Sequence, residues 1–318
     1  MSQENRVVTV TINPAIDHTV AIPNFRAGEV NRVQFSQLDP GGKGINVASF
    51  LADWGQLATA TGFLGRDNDE IFRKFFTQKD IEDRCVRIAG HTRTGVKIMD
   101  EALRQTTDIN FPGETPAPAD IEDLFGILRE LAATREWFVL AGSIPAGVSP
   151  GIYREMVTLL AGKKVALDTS GEGFRQAVTA GPWLIKPNVH ELEEFVGEPL
   201  TSQAAILKVA RDLIDRHGIS CVIVSMGKDG ALFVEGGEII WAVPPLVEVK
   251  STVGAGDAMV AGAVAGKLAG LPLMECARLA TAFSMNTLTH LGSGLSSVEA
   301  VQTAKETVTI RELSKTAM

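Results

Sequence analysis

The feature that most constrains this chain is a recurrence. Short β-branched and apolar runs alternate with segments of helical period through most of the 318 residues. That alternation is the pattern of βαβ units, so the expected fold class is α/β, with helices packed on both faces of a mainly parallel sheet. Core strands are predicted at Val7–Ile12, Leu57–Thr61, Trp137–Ala141, Lys164–Asp168, Trp183–Lys186 and Cys221–Ser225. A helix is predicted from Lys43 to Trp54, where Ile45, Val47, Ala48, Leu51 and Trp54 recur at helical spacing. Ala231–Val234 and Glu238–Trp241 flank Gly236-Gly237 and predict a hairpin at the sheet edge.

Two segments break the rhythm, 17–39 and 88–112; in the second, Gly95–Met99 and Arg104–Asn110 read as paired strands. Neither is long enough to hold a core of its own, so together they predict one small β-sheet lid over a single domain spanning 1–318. No internal repeat or Pro/Ser-rich linker divides the chain.

Charge and cysteine usage exclude several classes. With 30 Lys+Arg against 38 Asp+Glu the net charge is −8, and no basic patch offers a phosphate backbone a footing, so no nucleic-acid partner is expected. Apolar runs such as 258–266 are bracketed by Asp257 and Lys267 and fall short of a bilayer span, so no membrane is expected. The N-terminal stretch lacks a secretory pattern, and Cys85, Cys221 and Cys276 suit neither a disulfide framework nor zinc; a cytoplasmic location is the expectation.

The sharpest local signal is Ser251-Thr252-Val253-Gly254-Ala255-Gly256-Asp257, a Gly-rich turn opening a helix of small residues. Amides at such a helix start suit a phosphate. A carboxylate at 257 is kept ionised by the helix dipole and can take a proton from an attacking alcohol. The same residues also read as a plain N-cap. A second cluster, Gly41-Gly42-Lys43-Gly44-Ile45-Asn46, opens another helix; Lys43 offers a point charge and Asn46 a hydrogen bond to a sugar hydroxyl, though an exposed lysine at a helix start is equally compatible. Neither a Walker A loop nor GxGxxG occurs. Asn13, Asp17, Ser143, Asp168 and Lys186-Pro187-Asn188-Val189-His190-Glu191 fall at strand ends, where open α/β sheets bind ligands. Asn188 and Glu191, three apart, could face a hydrated Mg²⁺ or cap a helix. The five histidines show no metal or triad spacing, Phe72, Phe75 and Phe76 read as core, and Arg129, Arg135, Arg211 and Arg216 read as solvated charge.

Taken in order, NPAID, GGKGINVA, TRTGVK, GSIPAGV, KPNVHE, SMGKDG and STVGAGDAM resemble the ribokinase-like sugar kinases of the PfkB family almost end to end. The resemblance implies a ribokinase-like three-layer α/β/α fold with a β-lid, ATP and Mg²⁺ as cofactors, and a homodimer formed through the lid. Asp257 would be the general base, and the backbone of Gly254, Ala255 and Gly256 the anion hole. Asp17, Gly42, Lys43 and Asn46 would hold the sugar. Arg93 and Lys97, with Arg32, would face its phosphate, and Ser143 and Asn110 its hydroxyls. ATP would lie along Lys186, Asn188, Ser225, Gly227, Gly230, Ser251, Thr252, Val253, Gly254, Gly256 and Asn286, and Asn188 with Glu191 would hold Mg²⁺. Within the family, GEVNR at 28–32, Lys43 and the block 106–113 resemble the branch acting on fructose 1-phosphate. Fructose 6-phosphate and tagatose 6-phosphate are the alternatives. A non-catalytic sugar-phosphate sensor on the same fold is the alternative of another class.

Overall fold

The structure, a computed structural model, describes residues 6–103, 105–290, 292 and 294–313. In chain order the first elements are β1 (Val7–Thr11), β2 (Ala15–Ala21), β3 (Phe35–Gly41), α1 (Lys43–Asp53), β4 (Ala58–Gly65), α2 (Glu70–Gln78), β5 (Glu82–Asp83), β6 (Val86–Ile88), β7 (Thr94–Asp100) and β8 (Gln105–Asn110). There follow α3 (Pro118–Ala132), β9 (Trp137–Ala141), α4 (Ile152–Leu159), β10 (Lys164–Asp168), α5 (Gly171–Ala177), β11 (Leu184–Ile185), α6 (Val189–Val196), α7 (Gln203–His217) and β12 (Cys221–Ser225). The chain closes with β13 (Ala231–Glu235), β14 (Glu238–Val243), α8 (Ala255–Leu268), α9 (Leu273–Leu288), α10 (Val298–Thr307) and β15 (Thr309–Glu312).

An eleven-stranded sheet runs β15-β14-β13-β12-β11-β10-β9-β1-β4-β5, with β6 added alongside β4. It is parallel from β5 to β12 and antiparallel beyond. Its strands send alternate residues to opposite cores, as the two-residue period requires: Phe138 and Leu140 pack with the α3–α7 layer, Trp137, Val139 and Ala141 with α1, α8 and α9. Both faces are therefore covered, and the strands read as continuous apolar runs. This is the expected α/β class with its mainly parallel sheet.

The hairpin at Gly236-Gly237 forms, both glycines having positive φ, 56° and 84°, as a two-residue turn between twisted strands needs. It is not the sheet edge: β15 pairs outside it, with Ile240 opposite Glu312. Thr-Ile-Arg-Glu carries too little apolar alternation to have been read as a strand. Arg135 is a second correction. Rather than being solvated it is buried, its guanidinium 3.5 Å from Glu82.

A second sheet, ordered β3-β2-β7-β8, lies over the carboxyl ends of the parallel strands. Of the segments expected to form the lid, Ile88 belongs instead to β6, and residue 104 lies outside the described residues. Register puts Asp17, Gln37, Lys97 and Asn110 on one face of this small sheet and Leu38, His18, Val96 and Ile109 on the other. The first face looks into the site.

Helix α8 is held by small residues against α9: a β-carbon on Gly262 would lie 2.7 Å from the Ala280 Cα and 3.0 Å from Phe283. Since α8 carries the Gly-rich turn on its first residue, this seam sets the height of that turn. Gly262→Val should lower unfolding free energy by about 1–3 kcal/mol or more through overpacking, measured by urea denaturation.

Candidate active site

The turn 251–257 opens α8 with Gly254 at φ 77°, a left-handed conformation that glycine adopts without penalty. No side chain caps the helix; the Ala255 amide makes a long contact with the Thr252 carbonyl at 3.4 Å, while those of Gly256 and Asp257 have no hydrogen-bond partner among the described residues, an arrangement suited to an anion. Two clefts meet on this turn. On one side Ser251, Val253 and Gly254 line a small cavity roofed by the lid residues Asp17, Gln37, Lys97 and Thr106. On the other, Thr252, Ala255 and Gly256 line a cleft of about 1320 Å³ that runs past Asn188, Ser225, Gly227, Gly230 and Trp241.

Asp257, in the first turn of α8, is 6% exposed, and its Oδ2 accepts a hydrogen bond from Asn46 Nδ2 at 2.8 Å. Burial, reinforced by the negative charge of Asp168, lifts its carboxyl to about 6. Lys43, Asn46 and Lys186 pull the other way without cancelling that rise. The helix dipole alone led to the opposite expectation; desolvation outweighs it. A carboxylate poised near neutrality is suited to general-base work.

Asp168 ends β10 at 1% exposure. Its Oδ1 accepts from Lys43 Nζ at 3.1 Å and lies 3.5 Å from Lys186 Nζ. Burial would raise this carboxyl, but the two ammonium groups more than offset it and hold it below the usual carboxylate range. Lys43, although burial opposes its charge, is held above its ordinary value by Asp168, Asp257 and Glu191. Lys186 reaches the α8 turn, where a β-carbon on Gly256 would lie 3.2 Å from its Nζ. Asp168 was noted in the sequence only as a strand-end polar residue. The available signal was a carboxylate closing the otherwise apolar run Val165–Leu167.

On the lid side, Lys97 Nζ donates to Asp17 Oδ2 at 2.6 Å. A β-carbon on Gly41 would lie 2.6 Å from the same oxygen, so glycine is required there. Arg93 is half-buried: its Nη1 makes only long contacts, 3.5 Å to Asn110 Oδ1 and 3.4 Å to the Phe111 carbonyl, and its buried Nε has no protein partner. Burial holds the guanidinium below its ordinary value. Ser143 follows β9 and accepts from Asn13 Nδ2 at 2.9 Å. The Gly142 carbonyl before it is held by Tyr153 and Thr169. Gly42, at φ 122°, lets α1 start hard against Thr11 and Pro14.

Most of the residues singled out in the sequence therefore converge, but two do not. Arg32 sits exposed on the β2–β3 connection, where among the described residues it makes no hydrogen bond or ion pair. Asn286 faces away from the large cleft: its Oδ1 accepts from Ser296 N at 2.9 Å and its Nδ2 donates to Ser296 Oγ at 2.7 Å. Ser284 and Leu288, one helical turn apart, take the cleft face instead. Asn188 and Glu191 form a capping box at the start of α6, each side chain accepting from the other's amide at 2.8–2.9 Å. Among the described residues no group of three or more His, Cys, Asp or Glu could hold a metal by itself. Lys250, on the small cavity, went unremarked in the sequence.

A large cleft and a smaller polar cavity on either side of one Gly-rich turn, with the buried carboxylate of Asp257 directly after it, suit a phosphotransferase with an alcohol acceptor. Residues 4–300 match the pfkB family carbohydrate kinases, and the chain belongs to that family. A 1-phosphofructokinase of Rhodobacter capsulatus is 45% identical over 97% of this chain and 98% of its own length. One from Vibrio cholerae serotype O1 is 39% identical over 98% of both. Among solved structures, phosphofructokinase-2 from Escherichia coli in complex with substrates and products superposes with a TM-score of 0.89 at 28% identity, covering 95% of this chain and 98% of that one. A possible 1-phosphofructokinase from Thermotoga maritima gives 0.88 at 27% identity, covering 97% and 100%.

Replacing Asp168 by Asn should deprive the buried Lys186 and the partly exposed Lys43 of their shared ion-pair partner and lower stability at pH 7 by about 3 kcal/mol. Because the folded-state carboxyl is held below its unfolded value, its contribution is present above the ordinary range near 3.8 and is lost as pH falls through the folded value. Urea titrations of wild type and Asp168→Asn should therefore converge in acid and diverge at neutrality.

Proposed function

We propose that this chain transfers the terminal phosphoryl group of MgATP to the free primary hydroxyl of fructose 1-phosphate, giving fructose 1,6-bisphosphate. The observation that carries the reading is Asp257, buried and lifted to about 6, directly after the turn that lines both clefts and hydrogen-bonded to Asn46 of the smaller one. Asp257 takes the hydroxyl proton as the oxygen attacks, and the first-turn amides of α8, with Lys186 beside them, stabilise charge on the transferring group.

The residues present fit the donor. The uncapped turn and Lys186 suit phosphates, and the large cleft is roomy enough for a nucleoside triphosphate. Lys186, Ser225, Gly227, Gly230 and 251–256 would hold the nucleotide. Glu191, one of whose oxygens is engaged in the capping box, and Asn188 would hold the hydrated Mg²⁺. When bound, MgATP supplies the phosphoryl group and the metal's charge upon it.

The choice of ketose rests on the relatives' shared name, 1-phosphofructokinase; Arg93, a half-buried cation with weak protein partners, is the group suited to the sugar's phosphate. Asp17 and Lys97, already paired, are suited to hydroxyls. Fructose 6-phosphate and tagatose 6-phosphate also present a phosphate at one end of the furanose and a free primary hydroxyl at the other, so a cation at the far end does not separate the three sugars and the relatives' shared name decides among them. An intact base in a two-cleft site disfavours the non-catalytic sensor.

Lid closure would exclude water. We also propose that two lids pair into a homodimer: Leu38 and Ile109 on the outer row are 54% and 46% exposed, and Val33, Phe35 and Phe111 are exposed nearby. Among the described residues no helix is long and apolar enough to cross a membrane, which is compatible with a cytoplasmic enzyme.

Fructose 1-phosphate should give a higher kcat/KM than fructose 6-phosphate, tagatose 6-phosphate or ribose in an ATP-coupled assay; an equal rate on another sugar defeats the assignment. Asp257→Asn should lower kcat about 10²–10⁴-fold while sugar-phosphate binding persists. Since the ionised carboxylate is the active form, wild-type kcat should rise with pH and level off above about 6. Sedimentation equilibrium should return twice the chain mass; a monomer at assay concentration would remove the lid-pairing proposal.

A further inference from the structure

Asn46 is 8% exposed, in the first turn of α1, and its two polar ends are in different situations. Nδ2 donates to Asp257 Oδ2 at 2.8 Å. Oδ1 is equally buried and has no partner within the protein. An ionised carboxylate can only accept, so while Asp257 is a base the amide has one allowed orientation, nitrogen toward the carboxylate and oxygen away from it. Asn46 also lines the small cavity beside Asp17 and Lys97. Its unpaired oxygen is therefore available to a hydroxyl of the bound sugar.

We propose that Asn46 is a positioning residue for Asp257, one whose amide fixes the carboxylate's rotamer and ties the sugar's hydroxyl pattern to the protonation state of the base. The inference rests on the kinase reading above for the identity of that hydroxyl. In the reaction the sugar oxygen forms its bond to the terminal phosphorus as the bond from that phosphorus to the bridging oxygen breaks and ADP leaves. The hydroxyl proton passes to Asp257. The protonated acid is now a donor, and Asn46 satisfies it by a half-turn of the amide that brings Oδ1 toward Asp257 and Nδ2 toward the cavity. The residue thus offers the substrate an acceptor and the product a donor. A sugar-binding asparagine with no tie to the base would show none of this coupling.

The other charges facing Asp257 are Lys43 on α1, Asp168 at the end of β10 and Lys186 after β11, with Glu191 on α6 acting on Lys43. None is altered in the variants that test the idea. The direct measurement is NMR of protein labelled with ¹³C at the aspartate carboxyl, without nucleotide or sugar, the Asp257 signal being assigned by its loss in Asp257→Asn. Wild type should titrate near 6. Asn46→Ala removes a hydrogen bond to the charged form and should move the midpoint upward. Asn46→Asp is nearly isosteric and sets a second carboxylate against the first, so the pair should share a proton and the midpoint should rise by about one unit or more.

In turnover, Asn46→Ala should lower kcat about tenfold or more through loss of base alignment, with a smaller change in sugar-phosphate KM. A midpoint unmoved in both variants overturns the proposal, as does an Asn46→Ala enzyme in which KM alone changes. Should Asn46→Ala fail to fold, the near-isosteric Asn46→Asp carries the titration. Failure of fructose 1-phosphate as substrate would count against the proposed function but leave the NMR result interpretable, so the two readings fail separately.

Discussion

The site is organised by four charges that must neutralise one another: Asp168 and Asp257 against Lys186, all three buried, and the partly exposed Lys43. Each arrives on a different piece of the chain, the end of β10, the first turn of α8, the first turn of α1 and the residue after β11. Burying any one alone would be costly, and only the folded sheet brings all four within reach. The balance is uneven by design of geometry. Asp168 sits against both lysines and is held ionised, whereas Asp257 makes no ion pair with either and is raised by its burial and by the charge of Asp168, so one carboxyl is depressed and the other lifted. Two acids of one kind thereby acquire opposite settings, Asp168 held ionised by its ion pairs and Asp257, the proposed base, lifted toward neutrality.

The placement of that cluster follows from packing. Phe50 of α1 is fully buried, and a β-carbon on Gly254 would touch its ring at 3.6 Å; the seam of small residues between α8 and α9 fixes the helix from behind. The Gly-rich turn is thus wedged between apolar surfaces, its amides facing a polar opening. The lid completes the polar side. It needs no core of its own beyond Val20, Ile22 and Ile98 with Phe25 against them, because its inner face is spent on ligand-facing groups.

Much of this was legible from residue order. The βαβ rhythm predicted the parallel core, and Gly254, Gly256, Asp257, Lys43 and Asn46 stood out as glycine clusters opening helices, a pattern that fitted a plain N-cap and an exposed lysine equally well. What escaped had physical reasons. Asp168 carries no local motif, since its meaning lies in lysines 125 and 18 positions away in the chain. Asn286 was placed on the nucleotide by analogy, yet helical phase turns it toward Ser296 while Ser284 and Leu288 take the cleft face. Arg135 looked like surface charge because burial with Glu82 is invisible in a one-dimensional pattern.

From its residues alone this chain committed to a mainly parallel α/β sheet, an anion-binding turn at 251–257 and a β-lid, because periodicity and glycine placement act over a few residues and are written locally. The raised carboxyl of Asp257, the double engagement of Asp168, the hydrogen bond from Asn46 to Asp257 and the meeting of two clefts on one turn came only with the three-dimensional fold. Those properties depend on desolvation and on distances between groups far apart in the chain, quantities that no linear spacing encodes.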